Sequence, residues 1–152
     1  MYRILVVDDE RIEREGIKFL LADDKEEKIV FEAADGRQAL NILGKEDIDI
    51  LLTDVKMPHM DGLELTRRAR EKYPELKIII FSGYGDFSFA QEAIHYGVTD
   101  YILKPVNPEQ FEETMKKVER DIAGKWNQEK QKSREKDFFE TVFSPELSLF
   151  RF

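Results

Sequence analysis

The sequence contains no cysteine. A disulfide framework and a thiolate metal site are both excluded, and the absence suits a reducing compartment. Cytoplasmic location is therefore the expectation. Histidine is scarce: there are two in 152 residues. His59 and His95 have no partners at ligand spacing, so both read as surface residues. No apolar run approaches the roughly 20 residues that span a bilayer. The N-terminal run from Met1 meets charge at Asp8 too early for a signal peptide. Positive charge is also short, with 24 Lys and Arg against 32 Asp and Glu and a net charge of -8. Such a chain is unsuited to gripping a nucleic-acid backbone unaided, which needs a basic face. Internal repeats of solenoid length are absent. What is present is ordinary for a globular domain, 41% hydrophobic and 37% charged. The length suits one domain with room for an appendage.

The chain is organised around Ile48 to Gly62. An apolar run ends abruptly at Asp54, and turn signals follow at Met57-Pro58 and Asp61-Gly62. A short apolar run bounded by breakers reads as a strand buried on both faces. In an open parallel sheet the ligand crevice lies outside the carboxyl ends of the strands. Asp54 is then either a turn former, as Asp often is, or a group at the rim of a crevice. The remaining strand ends decide between the two.

Ile4 to Val7 reads as a buried strand stopping at Asp8-Asp9-Glu10. A helix follows, with Ile12, Gly16, Ile17, Leu20 and Leu21 on one side. Ile29 to Ala34 is the second strand, broken by Asp35-Gly36, which can cap a helix burying Ala39, Leu40, Ile42 and Leu43. Gly44 is expected to end that helix. Asp49 to Thr53 is the third strand, and Leu63 to Lys72 the third helix, entered at Asp61-Gly62. Lys77 to Phe81 is the fourth strand, ending at Ser82-Gly83-Tyr84-Gly85. Asp86 can cap a fourth helix whose Phe89, Ala90, Ala93, Ile94 and Tyr96 are available for packing, with Gly97 ending it. Asp100 to Leu103 is the fifth strand, followed by Lys104-Pro105. Pro108 opens a fifth helix with an apolar stripe at Phe111, Met115, Val118 and Ile122. Five strand–helix alternations imply parallel strands with right-handed crossovers. The expected fold is α/β, a flavodoxin-like doubly wound five-stranded parallel sheet of order 2-1-3-4-5, with helices on both faces.

In that order the strand ends gather Asp8 and Asp9, Asp54, Ser82 and Lys104 at one rim. Carboxylates about 4 Å apart repel by roughly 4 kcal/mol per pair at an effective dielectric near 20. Such a cluster needs a cation. Oxygen ligands without Cys or nearby His favour a hard ion, Mg²⁺ over Zn²⁺. Mg²⁺ on one or two carboxylates, keeping a phosphate oxygen, is the usual phosphoryl-transfer arrangement. Lys104 and Ser82 can then reach phosphoryl oxygens, and Asp54 is placed as a carboxylate nucleophile.

Asp8-Asp9, Asp54 with Met57-Pro58 and Asp61-Gly62, Ser82-Gly83, and Lys104-Pro105 occur together in order and spacing. In these motifs the chain, from about Tyr2 to Gly124, resembles the receiver domain of two-component response regulators. Ser82 to Phe87 and Gly97 to Val106 look most like regulators of the YesN type, whose second domain is an AraC-type helix-turn-helix. The resemblance implies that Asp54 accepts a phosphoryl group from a phosphohistidine on a sensor histidine kinase. It implies that Asp9 and Asp54 ligate Mg²⁺ with the backbone carbonyl of Lys56, Asp8 acting largely through water. Lys104 would pair with the phosphoryl oxygens, Ser82 would move toward them, and Tyr101 would swing inward behind Ser82 as the switch aromatic. The Lys104-Pro105 bond is expected to be cis. The output surface would be the fourth helix, fifth strand and fifth helix, with homodimerisation on phosphorylation. The protein would not be an enzyme beyond self-phosphorylation and slow self-dephosphorylation. DNA would be reached only through a C-terminal domain outside this chain, and no membrane is involved.

Two other readings share the Asp-centred α/β pattern. A haloacid-dehalogenase-type phosphatase resembles Asp-x-Asp after the first strand, whereas Asp8 and Asp9 are adjacent. A flavin-binding flavodoxin-like module needs a hydroxyl- and Gly-rich loop where this chain has Asp8-Asp9-Glu10. Residues 1–124 are thus expected to form the receiver domain, and 125–152 a charged linker or helical extension with an aromatic tail. That tail, from Phe138, reads as the start of a following output region, a dimer contact or a disordered end. Lys56, two residues past Asp54, can shield an acyl phosphate from water.

Overall fold

The computed structural model describes residues 1–83 and 87–143, without the side chains of Phe87 and Phe143. Expectations for Tyr84, Gly85, the Asp86 cap and the tail beyond residue 143 lie outside the described residues. The chain divides into two units, Met1–Val118 and Glu119–Phe152.

The first unit holds five strands, β1 (Tyr2–Val7), β2 (Lys28–Ala33), β3 (Ile50–Asp54), β4 (Lys77–Ser82) and β5 (Asp100–Leu103). They alternate with α1 (Arg11–Ala22), α2 (Gly36–Lys45), α3 (Gly62–Lys72), α4 (Phe87–His95) and α5 (Pro108–Phe143), which continues into the second unit. All pairings are parallel, in the order β2-β1-β3-β4-β5, as expected.

The period-2 alternation of a strand sends neighbouring side chains to opposite faces. Leu5, Val7, Leu51, Ile78 and Ile80 join one apolar cluster with Ala39 and Leu43 of α2, Leu63, Leu65 and Ala69 of α3, and Ala93 of α4. Ile4, Val6, Ile50, Leu52, Ile79, Phe81 and Ile102 take the other phase and are equally buried. On that side Phe111 of α5 meets Phe81 with ring centroids 6.0 Å apart. Burial on both faces is why β1, β3 and β4 read as continuous apolar runs.

Local chemistry sets the helix ends. The Asp35 carboxylate accepts from the Gln38 amide at 2.8 Å and caps α2, and Asp61 accepts from Glu64 at 2.8 Å and caps α3. Gly97 closes α4 at φ +72°, a conformation L side chains rarely adopt. The Arg70 guanidinium gathers the carbonyls of Pro74, Leu76 and Gly97 at 2.9, 2.7 and 2.9 Å. It thereby ties the end of α3 to the entry of β4 and the end of α4.

Several expectations need correction. Gly44 lies inside α2, which runs to Lys45; the Glu46 amide still reaches the Ile42 carbonyl at 2.8 Å, so the glycine breaks nothing. In α1 only Ile17 and Leu21 are buried. Ile12 is 84% exposed, because five residues before Ile17 is about 140° of arc away. Gly16 is exposed too. In α4 Ala93 is buried while the adjacent Ile94 is exposed. β3 runs Ile50–Asp54, one residue later at each end than the expected Asp49 to Thr53.

In the second unit α5 stays helical to Phe143, and residues 124–142 are exposed, including the large side chains of Trp126, Phe138, Phe139 and Val142. The charged stretch is therefore helix rather than loose linker.

The loop between Asp54 and α3 folds back on the strand it leaves. The Gly62 amide donates to the Val55 carbonyl at 2.7 Å, and a Cβ on Gly62 would collide with the Asp54 carbonyl oxygen. Gly62→Ala should cost about 1–3 kcal/mol, the usual range for overpacking. Asp61→Ala should cost about 1 kcal/mol through the lost cap. Urea denaturation of both variants checks the ranking, which Asp61→Ala as the larger loss would reverse.

Candidate functional site

The carboxyl ends of β1, β3, β4 and β5 meet at one rim. Asp8 is buried, Asp54 is half-buried and Asp9 is exposed. One carboxylate oxygen from each of the three lies within 4.8 Å of the others. Just after β5, Lys104 reaches in, its Nζ lying 3.4 Å from Asp8 Oδ2 and 3.4 Å from Asp54 Oδ2. The Lys104-Pro105 bond is cis, as expected.

The Asp8 and Asp54 carboxylates are each held by a backbone amide. Asp8 Oδ1 accepts from the Glu10 amide at 2.9 Å, and Asp54 Oδ1 accepts from the Val55 amide at 2.9 Å. In both, the other oxygen is the one turned toward Lys104. Ser82 is fully buried at the end of β4. It follows Phe81, the register partner of Asp54, and its carbonyl accepts from the Lys104 amide at 2.7 Å. Its hydroxyl donates to the Gly83 carbonyl at 3.4 Å. Tyr101, the register partner of Ile80, is half-buried against the apolar cluster on the α2–α4 side. Lys56 is exposed on the loop after β3, and His59 and His95 are exposed as expected.

The electrostatics are those of an anionic cluster with too little positive charge. Burial pushes the Asp54 carboxyl above its usual range; Lys104 and the Val55 amide oppose this, and Asp8 adds to it. Burial likewise pushes Asp8 up against the Glu10 amide and Lys104. Burial works against the Lys104 charge too, yet Asp54, Asp8 and Glu13 outweigh it and hold the ammonium above its ordinary value. One ammonium is shared among several carboxylates, so it stays charged while Asp8 and Asp54 remain undercompensated. Three hard oxygen donors within reach of one point, two of them raised toward protonation, fit a divalent cation.

Two site residues escaped the sequence reading, and both come from α1. Arg14 donates from Nη1 to the Asp8 carbonyl at 2.7 Å. Glu13 places Oε2 3.8 Å from Lys104 Nζ. Their only sequence signal is position, in the first helical turns after the Asp pair.

Fold and site together define a flavodoxin-like α/β domain with a carboxylate crevice able to hold a metal ion. More narrowly, the chain belongs to the response regulator receiver domain family, whose description matches residues 4–116. It is a receiver domain of two-component response regulators, a signalling domain. It is 37% identical over 119 residues to the uncharacterized transcriptional regulatory protein YesN of Bacillus subtilis, covering 78% of this chain and 32% of that protein. It is 30% identical over 150 residues to the transcriptional regulatory protein HptR of Staphylococcus aureus, covering 98% of this chain and 58% of that protein. The chain thus spans from about a third to under two thirds of these relatives. Among solved structures, the receiver domain of AraT, a response regulator from Geobacillus stearothermophilus, is 40% identical with a TM-score of 0.74. That match covers 82% of this chain and 98% of that structure. A two-component transcriptional regulator AraC from Clostridium phytofermentans is 32% identical with a TM-score of 0.71, covering 84% and 99%.

The raised carboxyls set a pH dependence. Asp8 and Asp54 bind protons more tightly folded than unfolded, so they subtract stability as pH rises from the ordinary 3.8 through their folded values. Asp54→Asn should therefore melt above the wild type at pH 7, and the gap should close as pH falls toward 4. Mg²⁺ at ten times its dissociation constant should stabilise the wild type by about 1.4 kcal/mol and the variant by less. Thermal melts across pH and Mg²⁺ measure both; a variant melting below the wild type at pH 7 contradicts the charge assignment.

Proposed function

We propose that this domain accepts a phosphoryl group on Asp54 from a phosphohistidine of a sensor histidine kinase. The observation that carries the proposal is the half-buried Asp54 carboxylate, with one oxygen pinned by the Val55 amide and the other 3.4 Å from Lys104. The step is a displacement at phosphorus. An Asp54 oxygen forms the new P–O bond, the P–N bond to the donor imidazole breaks, and the imidazole retains that electron pair. Lys104 then pairs with a phosphoryl oxygen. Asp9 and Asp54, with the Lys56 carbonyl, would hold Mg²⁺, and Asp8 would reach it through water. The ion would supply charge neutralisation and alignment of the phosphoryl oxygens.

The donor must cover the rim to reach Asp54. α1 starts at that rim and exposes Ile12 and Phe19, 84% and 77% accessible. Exposed apolar side chains beside a charged crevice suit a protein partner, and this face is assigned to the kinase.

The output reading rests on charge. A phosphoryl group adds about -1.5 to -2, and each charge-assisted bond gives about 1.5–3 kcal/mol. Bonds from Lys104 and Ser82 together approach the roughly 5.5 kcal/mol that takes a two-state equilibrium from 1:99 to 99:1. Ser82 moves toward the phosphoryl group, Tyr101 follows inward, and the α4-β5-α5 surface changes to favour a homodimer. Residues 1–124 serve as the receiver and 125–152 as the start of an output region. The match to HptR over 150 residues, extension included, supports that division. Transcriptional control would then run through a DNA-binding region outside this chain, in the cytoplasm.

Incubation with acetyl phosphate and Mg²⁺ should give a single phosphoryl adduct by intact mass, absent without Mg²⁺ and absent in Asp54→Asn. An adduct retained by that variant sinks the assignment. Lys56→Ala should speed hydrolysis of the phosphorylated domain if the exposed lysine shields the acyl phosphate; an unchanged decay rate removes that role.

A further inference from the structure

Glu13 stands outside the three-carboxylate cluster, yet it faces the same ammonium. It occupies the third position of α1, counting from the N-cap Glu10. In a capping box a glutamate there turns back to the N-cap amide. In this chain that amide is already taken, since the Glu10 N–H donates to Asp8 Oδ1 at 2.9 Å. Glu13 instead reaches toward Lys104, with Oε2 3.8 Å from Nζ.

Lys104 thus has carboxylates from both the crevice and α1 within 4 Å. Asp8 and Asp54 hold it over the crevice, and Glu13 draws it toward α1. A phosphoryl group on Asp54 needs that ammonium for itself and brings about -1.5 to -2 of charge. Glu13 opposes it twice, by competing for the cation and by repelling the arriving oxygens.

We propose that Glu13 is a positioning residue that acts as a brake on phosphoryl transfer to Asp54, working through Lys104. The inference rests on the phosphoacceptor reading above and adds a residue that sets its rate. Removing the charge frees Lys104 for the phosphoryl oxygens. The gain should be modest, because the Glu13 side chain is 45% exposed and the Lys104 side chain 23%. Exposed ion pairs of this kind correspond to about two- to five-fold in an equilibrium or rate.

The test compares wild type, Glu13→Gln and Glu13→Ala in the full 152-residue chain. With acetyl phosphate as donor, an Asp54 oxygen bonds to phosphorus as the bond to the acetate oxygen breaks and acetate leaves. Both variants should react about two- to five-fold faster than wild type and bind beryllofluoride, a phosphoryl mimic, more tightly by a similar factor. The advantage should shrink near 1 M salt, where the Debye length is about 3 Å; a purely structural role would not track ionic strength. Thermal melts show whether each variant is folded, and either variant alone suffices. A rate and beryllofluoride affinity equal to or below those of wild type in folded protein overturn the brake. If the wild type itself takes up no phosphoryl group, the phosphoacceptor reading fails and the brake with it. Uptake by wild type with no gain in the variants sinks only the brake.

Discussion

One ammonium stands among four carboxylates at the carboxyl edge of this sheet. Lys104 lies within 4 Å of Asp8, Asp54 and Glu13, and Asp9 completes the cluster. Burial raises Asp8 and Asp54 further toward protonation. The site is therefore held out of electrostatic balance, and it can be relieved by a divalent cation or by protons. The rest of the domain keeps that arrangement from relaxing. Fully buried β-branched and leucine side chains lock β1, β3 and β4 in parallel register, so the strand ends cannot drift apart. Close packing of this kind transmits strain rather than absorbing it.

The loop after Asp54 contributes in a second way. Gly62 sits against the Asp54 carbonyl and Asp61 caps α3, so the chain leaves β3 and returns within eight residues to the strand's own backbone. The Asp54 backbone is thereby held by its own loop as well as by the sheet. On the far side, Arg70 binds carbonyls from three segments and anchors the end of α4. Change in the crevice is thus met by rigid supports on β3, α3 and the end of α4.

Much of this was legible in the sequence, for physical reasons. Strands buried on both faces leave unbroken apolar runs, and parallel topology places their ends together. The sequence alone therefore places Asp8, Asp9, Asp54 and Lys104 at one rim. Asp35 and Asp61 announced their helix caps through short carboxylates ahead of Gly. The failures have equally plain causes. Ile12 lay within an apolar pattern but outside the narrow arc that α1 buries. Gly44 signals a helix end by type, yet a glycine one residue before the last costs α2 little. Glu13 was invisible because its approach to Lys104, ninety-one residues away in sequence, is disclosed only by three-dimensional contacts. The charged stretch after Gly124 lacks an apolar stripe, so its helicity could not be read from periodicity.

The central claim is that Asp54 is the residue that carries the phosphoryl group. Borohydride reduces an aspartyl phosphate to homoserine, which marks the modified position permanently. After reaction with acetyl phosphate and Mg²⁺, reduction and peptide mass mapping should place homoserine at residue 54 and nowhere else. Homoserine at Asp8 or Asp9, or a phosphorylated chain yielding none, would contradict the account.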